Sequence, residues 1–200
     1  MNFFDPIFII KSLGLWGTIG IIFIESGVFF GFFFPGDSLL FTAGLLASQG
    51  FFSFPELFVG TGLAAIAGGM FGYSFGAYLG QHFLLKKEGW FFRKKHIDTT
   101  SQFYEKYGVK TIILARFLPI VRTFAPILAG IARMNYATFS LFNAFGAAIW
   151  AFGLTGLGYY LGRTIPNIDH YILPIILLII ATSLAPTFYE FVKQRRKSRS

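Results

Sequence analysis

The chain has 200 residues, a length that ordinarily makes a single domain. Hydrophobic residues make up 54% of it, aromatics 20% with 28 Phe, and charged residues only 13%, about half of the roughly 25% with which a soluble domain coats its surface. The net charge of +8 does not mark a nucleic-acid binder, and the absence of Cys excludes disulfides, thiolate metal sites and cysteine nucleophiles.

The positive charge is placed for a membrane. Of the 17 Lys and Arg, seven lie in Lys86–Lys110 and five in Lys193–Ser200. Both stretches flank apolar runs, as expected of positive-inside anchoring and contact with anionic headgroups.

In chain order, residues 1–12 predict a short interfacial helix, with Asp5-Pro6 as its start signal. Asp5 stands where a signal peptide carries positive charge, so no removable signal is expected. Residues 13–50 are apolar apart from Glu25 and Asp37 and are broken at Phe34-Pro35-Gly36-Asp37. Residues 58–85 carry no charge and predict a transmembrane helix, since about 18 apolar residues suffice to cross a bilayer. The basic stretch 86–110 is the clearly aqueous one. Residues 111–132 are apolar but interrupted by Arg116, Pro119, Arg122 and Pro126. Residues 135–161 and 171–192 predict two more spans, and 193–200 is a basic tail.

Loop charge sets the expected topology. If 86–110 and the tail are both cytoplasmic, an even number of crossings must separate them. Two remain when 111–132 dips in and returns, and the outward connections Phe51–Leu57 and Arg163–His170 then hold only one Lys or Arg, Arg163. The same logic makes 13–50 a hairpin broken between Ser26 and Asp37. Arms of about a dozen residues, at ~1.5 Å rise each, are too short for a ~30 Å core. Its entry side rests on Glu56 and the missing positive charge. Such irregular backbone belongs where protein or a wet cavity surrounds it. The expected fold is therefore all-α: a polytopic membrane protein with two re-entrant helical hairpins in an inverted-repeat arrangement, about three spanning helices and an N-terminal interfacial helix.

Apart from Glu190 near the end of the last span, four charged residues fall inside the apolar runs: Glu25, Asp37, Arg116 and Arg122. Each costs several kcal/mol at the bilayer centre, which makes it a functional candidate. Two structural ion pairs pinning the hairpins together are the alternative. Arginine stays charged when buried and grips phosphate with a planar fork of donors. A carboxylate in an apolar setting is disfavoured in its charged form, which suits it to proton exchange. The four together fit proton-coupled movement of an anionic headgroup, with Pro35, Gly36, Pro119 and Pro126 as the hairpin breaks.

The segment Glu25-Ser26-Gly27, followed by Phe34-Pro35-Gly36-Asp37-Ser38-Leu39-Leu40, resembles the acidic motif of the DedA family, also called the VTT-domain or SNARE-associated family. The run Arg116-Phe117-Leu118-Pro119-Ile120-Val121-Arg122-Thr123-Phe124-Ala125-Pro126, then Ala129-Gly130, Met134, Phe139, Asn143, Gly146 and Trp150, resembles its second signature. The likeness extends from about Gly14 to Gly162. It implies a bacterial inner-membrane protein with two re-entrant hairpins that moves undecaprenyl phosphate or phospholipid between leaflets with proton dependence. It also implies roles in envelope integrity. The acidic and arginine pairs of the motifs fall on Glu25, Asp37, Arg116 and Arg122, and none of the four departs from the pattern.

Other patterns have plainer readings. Gly68, Gly72, Gly76 and Gly80 recur every four residues, a small-residue face for close helix packing. Gly72-Tyr73-Ser74-Phe75-Gly76 satisfies a nucleophile-elbow pattern but sits in a helix rather than a strand-turn-helix. His82, His96 and His170 form no metal cluster. Asn143 suits a hydrogen bond to another helix or support of the arginines. Trp16 and Trp90 suit an interfacial belt, whereas Trp150 lies too deep and is expected at the site. The Phe excess is expected to face lipid.

The reading is a transporter of an anionic lipid, with Arg116 and Arg122 holding phosphate and Glu25 and Asp37 taking protons or relieving the arginine charges as the site changes sides. Its partners are membrane lipids and protons, with no cofactor and no nucleic acid. Three rivals use the same residues or Ser74: an ion-coupled antiporter or small-solute transporter, a structural or assembly factor, and a hydrolase. The substrate, the coupling ion, the oligomeric state and the pairing of each acid with each arginine stay open at this level.

Overall fold

The computed structural model describes residues 6–33, 35–83 and 110–165, together with the helical positions Pro174 and Leu178. The expected basic stretch 86–110, the span 171–192 and the tail 193–200 lie outside the described residues, apart from those two positions and Lys110. The described elements are helical throughout: α1 (Pro6–Gly27), a 3-10 turn (Phe29–Phe33), α2 (Gly36–Ser48), α3 (Phe54–Phe83), α4 (Lys110–Ala115), α5 (Pro119–Ile131) and α6 (Tyr136–Thr164). Three of them, over Pro6–Gly27, Phe54–Gly80 and Tyr136–Thr164, are long and apolar enough to cross a membrane.

Helix α1 is turned at Gly14, whose φ of 65° and ψ of −163° are not helical. Glycine adopts this left-handed φ without a Cβ penalty. The turn separates a short N-terminal piece from an arm over 15–27, close to the expected boundary at residue 12. Just past it Trp16 is 81% exposed, as a belt residue should be. The arm ends at Gly27, the 3-10 turn follows, and α2 leaves from Pro35. At ~1.5 Å per residue each arm is about 20 Å long. Helix α2 closes on Gly50 (φ 84°), with the Phe51 N–H donating to the Leu46 carbonyl at 3.0 Å, a glycine-terminated helix end.

Helix α3 starts at Phe54, four residues before the expected 58. Pro55 and Glu56 explain the difference: Pro lacks only an N–H that the first turn leaves unused, and an acid favours the positive helix start. Helix α6 likewise extends past 161 to Thr164 and is capped by Asn135, whose side chain accepts from the Thr138 N–H at 3.0 Å.

The second apolar stretch breaks over Arg116–Leu118, and Pro119 opens α5. Pro126 is not a break: it lies inside α5. Its ring packs against α3, where a Cβ on Gly72 would meet it at 3.3 Å. That contact compensates for the helical hydrogen bond its missing N–H removes.

The glycine stripe on α3 serves two neighbours rather than one. Gly68 and Gly72 approach the α1 backbone at Phe23 and Gly27, and Gly76 approaches the α5 backbone at Ile127. The α3–α5 contact is reciprocal, because Gly130 of α5 meets the Tyr73 carbonyl and the Ala77 nitrogen of α3. Helices α2 and α6 repeat that pattern: Gly44 meets the Thr155 carbonyl and the Tyr159 nitrogen, and Gly158 meets the Phe41 carbonyl. In both pairs each glycine touches the carbonyl three residues before the opposing glycine. The second arm of each broken stretch thus packs on the long helix that follows the other stretch.

The main core joins Ile22 of α1, Leu39 and Leu40 of α2, Leu57 and Ala65 of α3, and Ala147 and Trp150 of α6. Phe41 and Phe139 are buried, whereas Phe29, Phe30, Phe71, Phe75, Phe117 and Phe145 are exposed. The apolar exterior carries much of the Phe excess, as expected for a lipid-facing surface.

Candidate functional site

Both broken stretches deliver their charges to one centre. Glu25 sits on the last turn of α1 and Arg122 on the first turn of α5, each against its own helix dipole, so each gains from an opposite charge. They pair: Arg122 Nη2 donates to Glu25 Oε1. Asp37 enters from the first turn of α2, where an acid is favoured, and its Oδ1 accepts from Arg122 Nη1 at 2.7 Å. One arginine therefore bridges both acids. The expectation of opposed charges at the two breaks holds, but the pairing is two to one.

The triad is packed on every side. Trp150 donates from Nε1 to the same Asp37 oxygen at 2.7 Å, and its ring lies 4.2 Å from the Arg122 guanidinium carbon, a cation–π contact. Gly36 leaves room for the Glu25 carboxylate, which a Cβ there would overlap. Thr123 donates to the Glu25 main-chain carbonyl at 3.2 Å, tying the end of α1 to α5. Glu25 and the Arg122 side chain are almost completely buried, while the Asp37 side chain keeps 15% exposure. Asp37 is the most exposed side chain of the three.

Arg116 is held differently. It follows α4 and is 3% exposed. Its Nη2 donates to the Ala65 carbonyl at 3.0 Å and to Asn143 Oδ1 at 2.5 Å. Asn143 in turn donates from Nδ2 to the Ile66 carbonyl at 3.0 Å. Gly69 makes the space, since a Cβ there would overlap Asn143 Oδ1 and crowd Arg116 Nη2 at 2.8 Å. No carboxylate lies within ion-pair distance of Arg116 among the described residues, and its Nη1 is buried without a hydrogen-bond partner. A buried guanidinium with an unused N–H has a donor available to an anionic oxygen.

Asn143 and Trp150 thus stand at the centre, one at each arginine. Pro35 and Gly36 border it and Pro119 starts the helix that carries Arg122, whereas Gly68, Gly72 and Gly76 pack helices and Gly80 lies within α3. Sequence reasoning missed Gly69, Thr123 and the two α3 carbonyls. Gly69 interrupts the spacing of four, which is the one signal that could have found it. Ser74 donates to the Met70 carbonyl at 2.9 Å within its own helix, and among the described residues no His, Asp and Glu cluster could hold a metal ion.

The VTT domain family matches residues 34–160. Protein DedA of Escherichia coli K12 is 42% identical over 178 residues, covering 88% of this chain and 81% of that protein. An uncharacterized membrane protein of Mycobacterium leprae is 35% identical over 206 residues, 98% of this chain and 92% of its own length. Inner membrane protein YqjA of Escherichia coli K12 is 33% identical over 149 residues, covering 72% and 66% of the two chains. No solved structure matches significantly. With the family's domain covering Asp37, Arg116 and Arg122, and a relative 42% identical over most of both chains, the chain belongs to the DedA family of membrane proteins.

Proposed function

We propose that this protein moves an anionic lipid, an undecaprenyl phosphate or an anionic phospholipid, between membrane leaflets with proton dependence. The observation that carries the reading is the unequal state of the two arginines. Both terminal nitrogens of Arg122 are engaged by Glu25 and Asp37, with only Nε left over, while Arg116 meets no carboxylate among the described residues and keeps its terminal Nη1 unused. A phosphate entering on Arg116 competes with the carboxylates for the Arg122 fork. Protonation of Asp37 or Glu25 releases that fork, so lipid binding and proton uptake go together. Two acids and two arginines sum to zero formal charge, so each negative charge brought by the lipid calls for one proton to keep the buried centre neutral.

Several features support a transport geometry. In this reading the arms over 15–27 and 36–48 form one re-entrant hairpin and residues 111–132 the other, entering from opposite faces as an inverted repeat. The matching glycine contacts of α2 with α6 and of α5 with α3 support that relation. The protein is then a multi-pass protein of the bacterial inner membrane, with its basic loop and C-terminus cytoplasmic and its site near the midplane.

The test is lipid flipping in proteoliposomes with a labelled polyprenyl phosphate or anionic phospholipid, with and without a pH gradient. Wild type is expected to move lipid faster under the gradient, and Arg116→Ala to abolish the movement. Equal movement by both would overturn the reading. Ion flux without lipid movement would instead favour the ion-coupled transporter.

A further inference from the structure

Among the described residues Asn143 is the one side chain that accepts from Arg116, and its chemistry there admits a single arrangement. A guanidinium only donates and a main-chain carbonyl only accepts. The amide must therefore turn its oxygen to Arg116 and its nitrogen to Ile66, as the 2.5 Å and 3.0 Å contacts record. A carboxylate of the same size would hold Arg116 equally well but would cancel its charge and face the Ile66 carbonyl with another oxygen. Gly69 is shaped to this amide, since a Cβ would overlap its oxygen.

We infer that Asn143 is the positioning residue that makes this centre selective for anions: it fixes Arg116 without neutralising it and leaves Nη1 free to receive a phosphate. The inference rests on the anion-carrier reading above and assigns the first phosphate contact to Arg116 rather than Arg122. The ligand chemistry is a phosphate oxygen, carried by a lipid headgroup or by free phosphate.

The experiment measures binding of farnesyl phosphate and of inorganic phosphate to the purified full-length protein in detergent. It compares wild type, Asn143→Asp and Asn143→Ser, with a thermal melt of each. Wild type is expected to bind farnesyl phosphate. Asn143→Ser, neutral but shorter, is expected to weaken binding by about threefold, roughly the loss of one modest hydrogen bond. Asn143→Asp is expected to weaken it by more than about tenfold although it can still accept from Arg116, because its charge offsets that of the guanidinium. The order of the two variants is decisive where their melts match, because Asn143→Asp also turns an oxygen to the Ile66 carbonyl, and a structural loss from that contact lowers the melt as well as the binding. If Asn143→Asp binds as wild type does, or better than Asn143→Ser, the inference is overturned. If Asn143→Asp fails to melt cooperatively, Asn143→Ser is read against Asn143→Gln and wild type, and equal binding by these three neutral side chains overturns the inference. Binding of inorganic phosphate with the same order of variants keeps the inference and assigns a free anion as ligand. Should flipping fail while phosphate binding still follows Asn143, the anion site stands and lipid translocation falls. No binding of either probe by wild type overturns both.

Discussion

Trp150 and Arg122 share one oxygen of Asp37 while they stack. Both donate to Asp37 Oδ1 at 2.7 Å, and the indole ring lies 4.2 Å from the guanidinium carbon. The indole therefore fixes Asp37 and covers one face of the cation, so Arg122 cannot leave Asp37 without disturbing Trp150. Replacing Trp150 by Phe keeps a ring and removes the donor. The expected loss is about 1 kcal/mol, the net contribution of one hydrogen bond. Trp150→Ala removes the ring from the core as well and is expected to cost about 3–5 kcal/mol. Thermal or denaturant unfolding in detergent, calibrated against wild type, orders the two.

In the proposed cycle the carboxylates take up protons before Arg122 is released. Binding of farnesyl phosphate is therefore expected to strengthen as pH falls and to weaken as it rises. Asp37→Asn leaves Arg122 with one ionised partner, Glu25, and makes the centre more positive by one charge. Its binding is expected to be tighter than wild type at neutral pH and to depend less on pH. A binding titration at two pH values distinguishes this from a structural lock, for which Asp37→Asn would lower stability and leave the pH dependence unchanged.

A static salt bridge survives reversal, whereas a carrier site does not. In the triple variant Glu25→Arg/Asp37→Asn/Arg122→Glu the pair can re-form between α1 and α5, now aligned with both helix dipoles rather than against them, and no second carboxylate faces it. The variant is expected to melt as a folded protein but to move no lipid. Flipping at the wild-type rate would convert Glu25 and Arg122 into structural residues.

The positions of the charges could be read from residue type and context alone. Glu25, Asp37, Arg116 and Arg122 stand out because apolar runs of this length rarely keep ionisable groups, and the breaks at Pro35-Gly36 and Pro119 follow from proline and glycine chemistry. What those patterns do not carry is who meets whom. Arg122 could have taken either acid, and its bridging of both depends on how the ends of α1 and α2 converge on Gly36. The support of Arg116 by Ala65 and Ile66 was hidden because main-chain carbonyls have no sequence signature. Pro126 misled for a related reason: in α5 the Gly72 surface receives its ring, so a residue that usually ends a helix continues one.

The paired glycine contacts give the sharpest test of the fold. Gly44 on α2 and Gly130 on α5 occupy corresponding places, each against a carbonyl and the nitrogen four residues later on the opposing helix. A methyl group at either would overlap backbone, which cannot move aside as a side chain can. Gly44→Ala and Gly130→Ala are each expected to destabilise by about 1–3 kcal/mol, the range for overpacking a tight interior. Because the contacts match, the two losses should be similar. Gly153, with nothing within 4 Å of a built Cβ, is the control: Gly153→Ala is expected to be neutral or to gain up to about 1 kcal/mol of helix propensity. Unfolding of the three variants side by side decides it. A loss at Gly44 without one at Gly130 would show that the two helix pairs do not share a packing mode, and would remove the support they lend to an internal repeat.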